Sequence, residues 1–159
     1  MRIGFAKDIH RLVPDRKLIL GGIEIPFELG LLGHSDADVV LHAIGESILG
    51  ALALGDLGTH FPDNDMKYKN IDSSILLSKI VDMMLENKYE ISNIDISIEC
   101  DKPKLAKYIL AMRENVSKIL KTDVKNVSIK AMTNEGMGET GTSKAIIAYS
   151  FVNLKEICW

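Results

Sequence analysis

The chain has 159 residues, 47% of them hydrophobic and 26% charged, with a formal net charge of −3. That size and apolar content fit one compact domain over residues 1–159 with a core of its own. The negative balance argues against nucleic-acid binding through a basic surface, and no run approaches the ~18 apolar residues that cross a bilayer.

Residues 2–10 are predicted as a first strand, and its period of two places Asp8 and His10 on one face, where they can grip one ion. The N-terminus enters this motif without the apolar stretch of a signal peptide. Residues 17–20 and 23–26 read as short strands about a Gly21-Gly22 turn. Gly30 and Gly33 then lead into a His34-Ser35-Asp36-Ala37-Asp38 loop. A helix is expected over 36–54, capped by Ser35 or Asp36, with Val39, Val40, Ala43, Ile44, Ile48, Leu49 and Leu52 on its apolar side and Gly55 ending it. In that helix Asp38 and His42 stand four apart on one face, with His42 about two turns in.

Residues 55–72 carry Gly, Pro, Asp and Asn without periodicity and read as a loop of about 15 residues, a length that tends to be functional. A second helix fits 73–87 through Ile75, Leu76, Ile80, Val81, Met84 and Leu85. The alternation of Ile94, Ile96 and Ile98 marks a half-buried strand. After Pro103 a third helix fits 104–120, with Leu105, Tyr108, Ile109, Met112, Val116 and Ile119 on one stripe. Val127, Ile129 and Ala131 alternate in the next strand, and residues 145–154 read as a strand buried on both sides. The fold class expected is α/β (an α+β sandwich), one mixed sheet with a layer of about three helices. Cys100 and Cys158 show no CxxC spacing and read as reduced thiols in a reducing compartment.

Three of the four histidines, His10, His34 and His42, fall in two acid-rich clusters. Asp8, His10 and His42 together offer two imidazoles and a carboxylate, a set that suits zinc and leaves its fourth position open, the mark of a catalytic site. His34 and Ser35 sit where a helix N-terminus favours an anion, and read as phosphate contacts alongside a capping role for Ser35. Asp38 is expected to orient a metal-bound histidine or substrate hydroxyls, and Asp36 to cap. No serine, cysteine or lysine nucleophile motif is present.

Several stretches, in this order, resemble one family: Arg2-Ile3-Gly4, Asp8-Ile9-His10, residues 31–38, His42-Ala43, residues 53–58, Phe61-Pro62-Asp63, Pro103-Lys104, and Thr133-Asn134-Glu135 with Gly138 and Gly141. The chain is similar, nearly end to end, to the 2-C-methyl-D-erythritol 2,4-cyclodiphosphate synthase family. The resemblance implies a phosphorus–oxygen lyase of non-mevalonate isoprenoid biosynthesis. Its implied reaction turns 4-diphosphocytidyl-2-C-methyl-D-erythritol 2-phosphate into the 2,4-cyclodiphosphate and CMP.

It further implies a cytoplasmic homotrimer, its sheets packed around the three-fold axis and its active sites between subunits. Zn²⁺ would sit on Asp8, His10 and His42, and Mg²⁺ or Mn²⁺ on Glu135. His34 and Thr133 would be catalytic. Ser35, Asp38, Asp56, Gly58, Phe61, Asp63 and Asp65 would bind the substrate, with Asp56, Gly58 and Asp63 on the methylerythritol hydroxyls. Cys100, Pro103, Lys104, Leu105, Ala131, Met132 and Thr133 would take the cytidine nucleotide. The runner-up reading is a trimeric metal-containing module that binds isoprenoid diphosphates without catalysis. Against it, residues 140–144 read Thr-Gly-Thr-Ser-Lys where many members carry an arginine. Lys7 or Lys144 could replace that charge but not its planar fork.

Overall fold

The computed structural model describes residues 1–62 and 64–157, so the expectations for Asp63 and Cys158 lie outside the described residues. The chain runs β1 (Arg2–Val13), β2 (Leu18–Leu20), β3 (Ile23–Ile25), β4 (Gly30–Leu31), α1 (Val39–Leu52), the single turn α2 (Leu57–His60), α3 (Ser73–Glu86), β5 (Tyr89–Glu99), α4 (Ile109–Ile119), β6 (Val127–Met132), the single turn α5 (Gly138–Gly141) and β7 (Ala145–Glu156). Five strands make one mixed sheet in the order β4-β1-β7-β5-β6. β7 pairs antiparallel with β1 and β5, while β6 lies parallel to β5 across the α4 connection. β2 and β3 form a separate ribbon. Its two-residue turn, Gly21-Gly22, has φ of 59° and 74°, the left-handed pair that a twisted hairpin turn needs.

α1 packs on β1 and β7, α3 lies against α1 and β5, and α4 covers β6. The mixed sheet with its helical layer is therefore as expected. Leu41, Ile44, Ile48 and Leu49 of α1 are fully buried between sheet and α3, and each such side chain contributes about 1.5–3 kcal/mol. The register sets Asp8 opposite Ala148 and His10 opposite Ile146, on the inner face that α1 covers. Among the described residues, no helix is long and apolar enough to cross a membrane.

Several boundaries differ from the sequence reading. α1 begins at Val39 because Asp38, not Ser35 or Asp36, is its cap. It ends at Leu52, with Ala53 in the left-handed conformation two residues before the stop expected at Gly55. The stretch after it is not uniformly irregular: Asp56 caps α2 and Asp65 caps a short turn over Met66–Tyr68. The third helix starts late, with a tight turn over Ala106–Tyr108 before α4. β5 begins at Tyr89, before its visible alternation, because a register shift between Ile91 and Asn93 puts Ile91 out of step with Ile94.

β7 is also less enclosed than its composition suggests. Ala145 to Ala148 are buried, but Phe151 is 52% exposed. On neighbouring β1, Ile3, Phe5 and Ile9 are 70%, 56% and 48% exposed. The Phe5 and Phe151 rings meet at 4.6 Å, giving the outer face of the sheet an open apolar patch.

Candidate active site

β1 and α1 bring Asp8, His10 and His42 together. Asp8 Oδ2 lies 3.0 Å from His10 Nε2 and 3.2 Å from His42 Nδ1, and the two ring nitrogens are 3.3 Å apart. Ligands at 2.0–2.1 Å from a tetrahedral zinc stand about 3.3 Å from one another, so these three atoms already have the spacing of one face of such a site. Among the described residues they form the one cluster of three or more His, Cys, Asp or Glu side chains able to share an ion. The rings are steered from behind. His10 Nδ1 lies 2.7 Å from the Leu32 carbonyl, which can only accept, so that nitrogen carries the proton and Nε2 faces Asp8. Gly33 allows the approach: a Cβ there would come within 3.1 Å of His10 Cε1 and 2.8 Å of Ala37 Cβ. With α1 starting at Val39, His42 stands one turn into the helix, not two.

Burial pushes the Asp8 carboxyl up, but the two imidazoles against it more than offset this and hold it well below the usual carboxylate range. Burial works to lower His10, yet Asp8 and the Leu32 carbonyl raise it above an ordinary imidazole. A metal must therefore displace the His10 proton, and divalent-metal affinity should rise with pH, by up to roughly tenfold per unit, everywhere below the raised value and level off above it. The metal-free fold has the opposite slope. The His10 pairing contributes in full below about 6.5 and is lost as pH rises through the folded value. Cobalt(II) titration across this range checks the first slope, and a flat affinity would contradict it.

The triad opens into a cleft of about 340 Å³ that also takes in His34, Ser35, Gly58 and Phe61. His34 Nε2 is buried there without a hydrogen-bond partner, an unusual state for a polar atom unless a ligand completes it. Arg16 donates to the Gly33 and Ser35 carbonyls at 3.2 and 2.8 Å and holds the loop that carries His34. Phe61 is buried and meets Tyr68 edge-on at 5.5 Å.

Other expected contacts stand elsewhere. Asp38 is 0% exposed, and both its oxygens are taken by backbone amides of Gly21, Gly22, Val40 and Leu41. It ties the β2–β3 ribbon to α1 and does not reach the cleft, which corrects its expected substrate role. Asp56 accepts from Thr59, and Asp65 pairs with Lys67 at 2.7 Å. Both act as local caps outside the cleft lining.

A second cleft is lined by Cys100, Lys104, Leu105, Ala131, Met132 and Thr133, six of the seven residues expected to hold a nucleotide. Pro103 lines a shallower groove beside it, with Lys104. Burial pushes the Cys100 thiol up to about 12. Thr133 Oγ1 donates to Glu135 Oε1 at 2.7 Å. Glu135 is exposed, in a left-handed conformation at φ 52°. The two clefts have no lining residue in common.

Some contributors were missed in the sequence. Glu46, Leu57, Tyr68 and Leu76 line the first cleft. Glu46 lies four residues past His42, so helical spacing could have found it. Ser73 meets His42 Nε2 at 2.9 Å, a contact across 31 residues with no local signal. Asp101 accepts from the Asn134 amide at 2.7 Å and the Gly136 amide at 3.3 Å, fixing the turn that carries Glu135.

The family model described as the YgbB family matches residues 1–155. A protein of Brachyspira hyodysenteriae named 2-C-methyl-D-erythritol 2,4-cyclodiphosphate synthase is 62% identical over 98% of this chain and 99% of its own length. The bifunctional IspDF from Campylobacter jejuni superposes with a TM-score of 0.93 at 39% identity, over 98% of this chain and 42% of that longer one. The IspF of Plasmodium falciparum, solved as a CDP complex, has a TM-score of 0.86 at 34% identity, over 98% and 96%. With its metal-binding geometry on the same fold as these proteins, the chain belongs to the YgbB family of 2-C-methyl-D-erythritol 2,4-cyclodiphosphate synthases.

Proposed function

We propose that this chain converts 4-diphosphocytidyl-2-C-methyl-D-erythritol 2-phosphate into 2-C-methyl-D-erythritol 2,4-cyclodiphosphate and CMP, as a lyase of non-mevalonate isoprenoid biosynthesis. The observation that carries the reading is the convergence of Asp8, His10 and His42 in a cleft also lined by His34, whose buried Nε2 has no hydrogen-bond partner. The nucleophile is in the substrate: an oxygen of its 2-phosphate bonds to the β-phosphorus as the bond from that phosphorus to the CMP oxygen breaks. No water is consumed and no protein nucleophile is needed, so the chain's task is to fold the substrate and meet its charge.

Asp8, His10 and His42 would hold zinc, whose two-imidazole, one-carboxylate set leaves a position open. Bound there, the metal supplies Lewis-acid polarisation and orientation of a phosphate oxygen. His34 Nε2 and the Ser35 hydroxyl donate to phosphate oxygens at the cleft floor, while Gly58 and Phe61 shape the space for the methylerythritol. Lys104 meets the nucleotide charge, Thr133 donates to its phosphate, and Cys100, Leu105, Ala131 and Met132 form the base pocket beside Pro103. Glu135 would take Mg²⁺ or Mn²⁺, with substrate oxygens and water completing the shell. Asp56, Asp63 and Asp65 belong to the loop bordering the methylerythritol site. The buried free Cys100 fits a reducing compartment, the cytoplasm.

The complete site is proposed to lie between subunits of a homotrimer whose sheets face the three-fold axis. Two observations support this: the apolar outer patch of Ile3, Phe5, Ile9 and Phe151, and the separate linings of the metal and nucleotide clefts within one chain. Co-expression tests it. His42→Ala and Lys104→Ala chains, each defective alone, should restore cyclodiphosphate and CMP formation at about a quarter of the sites in randomly mixed trimers. No restoration in mixed trimers would place both half-sites within one chain.

A further inference from the structure

We propose that Ser73, anchored by Asp36, is a positioning residue of the metal site. It selects the His42 tautomer that turns Nδ1 toward the metal, and it leaves the Ser35 hydroxyl free to donate into the cleft. The inference rests on the metal-site reading above. Ser73 is 1% exposed at the start of α3, and its Oγ lies 2.9 Å from His42 Nε2. The Ser73 hydroxyl also meets Asp36 Oδ1, and the Ser73 amide donates to Asp36 Oδ2 at 3.0 Å. Asp36 is held in turn by the Asp38 amide at 3.1 Å.

A carboxylate accepts only, so the single hydroxyl proton of Ser73 is committed to Asp36. Toward His42, Ser73 can then act only as an acceptor, and Nε2 must carry the ring proton. A neutral imidazole has one N–H, which leaves a lone pair on Nδ1. That nitrogen stands at the metal position, 3.2 Å from Asp8 Oδ2 and 3.3 Å from His10 Nε2, and a proton held among these three atoms gives way when a metal binds. Without the Asp36–Ser73 pair, the hydroxyl could donate to Nε2, and the proton would move to Nδ1, where it blocks coordination. Ser35 Oγ lies 3.2 Å from the same Nε2 and accepts from the Ala37 amide. Because Nε2 is a donor, the Ser35 proton has no acceptor in that ring, and its other oxygen neighbour, Ser73 Oγ, stands at the long distance of 3.5 Å, so a ligand oxygen at normal bonding distance is the better acceptor.

The test combines tautomer and affinity. Histidine-selective nitrogen-15 NMR of the metal-free full chain should show His42 protonated at Nε2. Cobalt(II) titration should give roughly 10- to 100-fold weaker binding in Ser73→Ala, the usual scale for losing a partner behind a ligand. Ser73→Thr, which keeps the hydroxyl, should bind close to the parent, and Asp36→Asn should weaken binding in the same direction as Ser73→Ala. A metal-free parent in which His42 Nε2 lacks a proton would overturn the proposal, and that measurement needs no variant to fold. Parent-like cobalt affinity in a folded Ser73→Ala would also overturn it. A parent that binds no cobalt would overturn the metal-site reading itself, a distinguishable failure.

Discussion

His42→Ala should lose the bound divalent metal and cyclodiphosphate formation together. Two imidazoles and a carboxylate would share the protein's part of the coordination. Structural zinc sites bind with about 10–16 kcal/mol over four ligands, so removing one ligand costs about 3 kcal/mol and weakens affinity roughly 10²- to 10³-fold. Turnover should fall by about 10³-fold or more, because the charge stabilisation a metal gives a phosphoryl oxygen amounts to several kcal/mol. The fold should survive. His42 borders the cleft, and the main stability cost is the lost hydrogen bond to Ser73, about 1 kcal/mol. Metal content and turnover, measured on the same refolding-competent sample, decide the matter. Full zinc stoichiometry in His42→Ala would refute the ligand assignment.

Asp38→Ala should do the reverse, removing stability before chemistry. Its carboxylate accepts from Gly21 at 3.0 Å, Gly22 at 2.6 Å, and Val40 and Leu41 at 3.1 Å each. Alanine would strand these donors in a site closed to water, at about 1–3 kcal/mol for each one left unmet. It would also delete the α1 cap, at about 0.5–2 kcal/mol. Partial relaxation reduces the sum, and a loss of about 4 kcal/mol or more is expected, a large share of a typical 5–15 kcal/mol stability. The urea midpoint should drop sharply while any folded fraction keeps its substrate KM. A normal midpoint with a raised KM would instead return Asp38 to the substrate.

The contrast between these two residues shows what the sequence could and could not convey. Asp8, His10 and His42 were legible because strand and helix periods place them on predictable faces, and their residue types suit few alternatives. Asp38 looked like part of the same cluster. Its true partners are amides of a glycine turn 16 and 17 residues away, and nothing local announces such a contact. Ser73 escaped for the same reason. The inner face of the sheet was readable from Ile94, Ile96 and Ile98, but the bulge before Ile94 hid the first turns of β5. The cap at Ala53 was hidden because alanine rarely adopts the left-handed conformation, and Gly55 seemed the natural stop. The residues lining the second cleft come from just beyond β5, the segment leading into α4, and the end of β6 and just beyond it. Their convergence follows from the parallel β5–β6 pairing, which no periodicity encodes.

The most direct test is phosphorus-31 NMR of the purified full chain with Zn²⁺, Mg²⁺ and 4-diphosphocytidyl-2-C-methyl-D-erythritol 2-phosphate. The expected products are 2-C-methyl-D-erythritol 2,4-cyclodiphosphate and CMP in equal amounts. Linear hydrolysis products, or no turnover by a folded, metal-loaded protein, would contradict the proposed function.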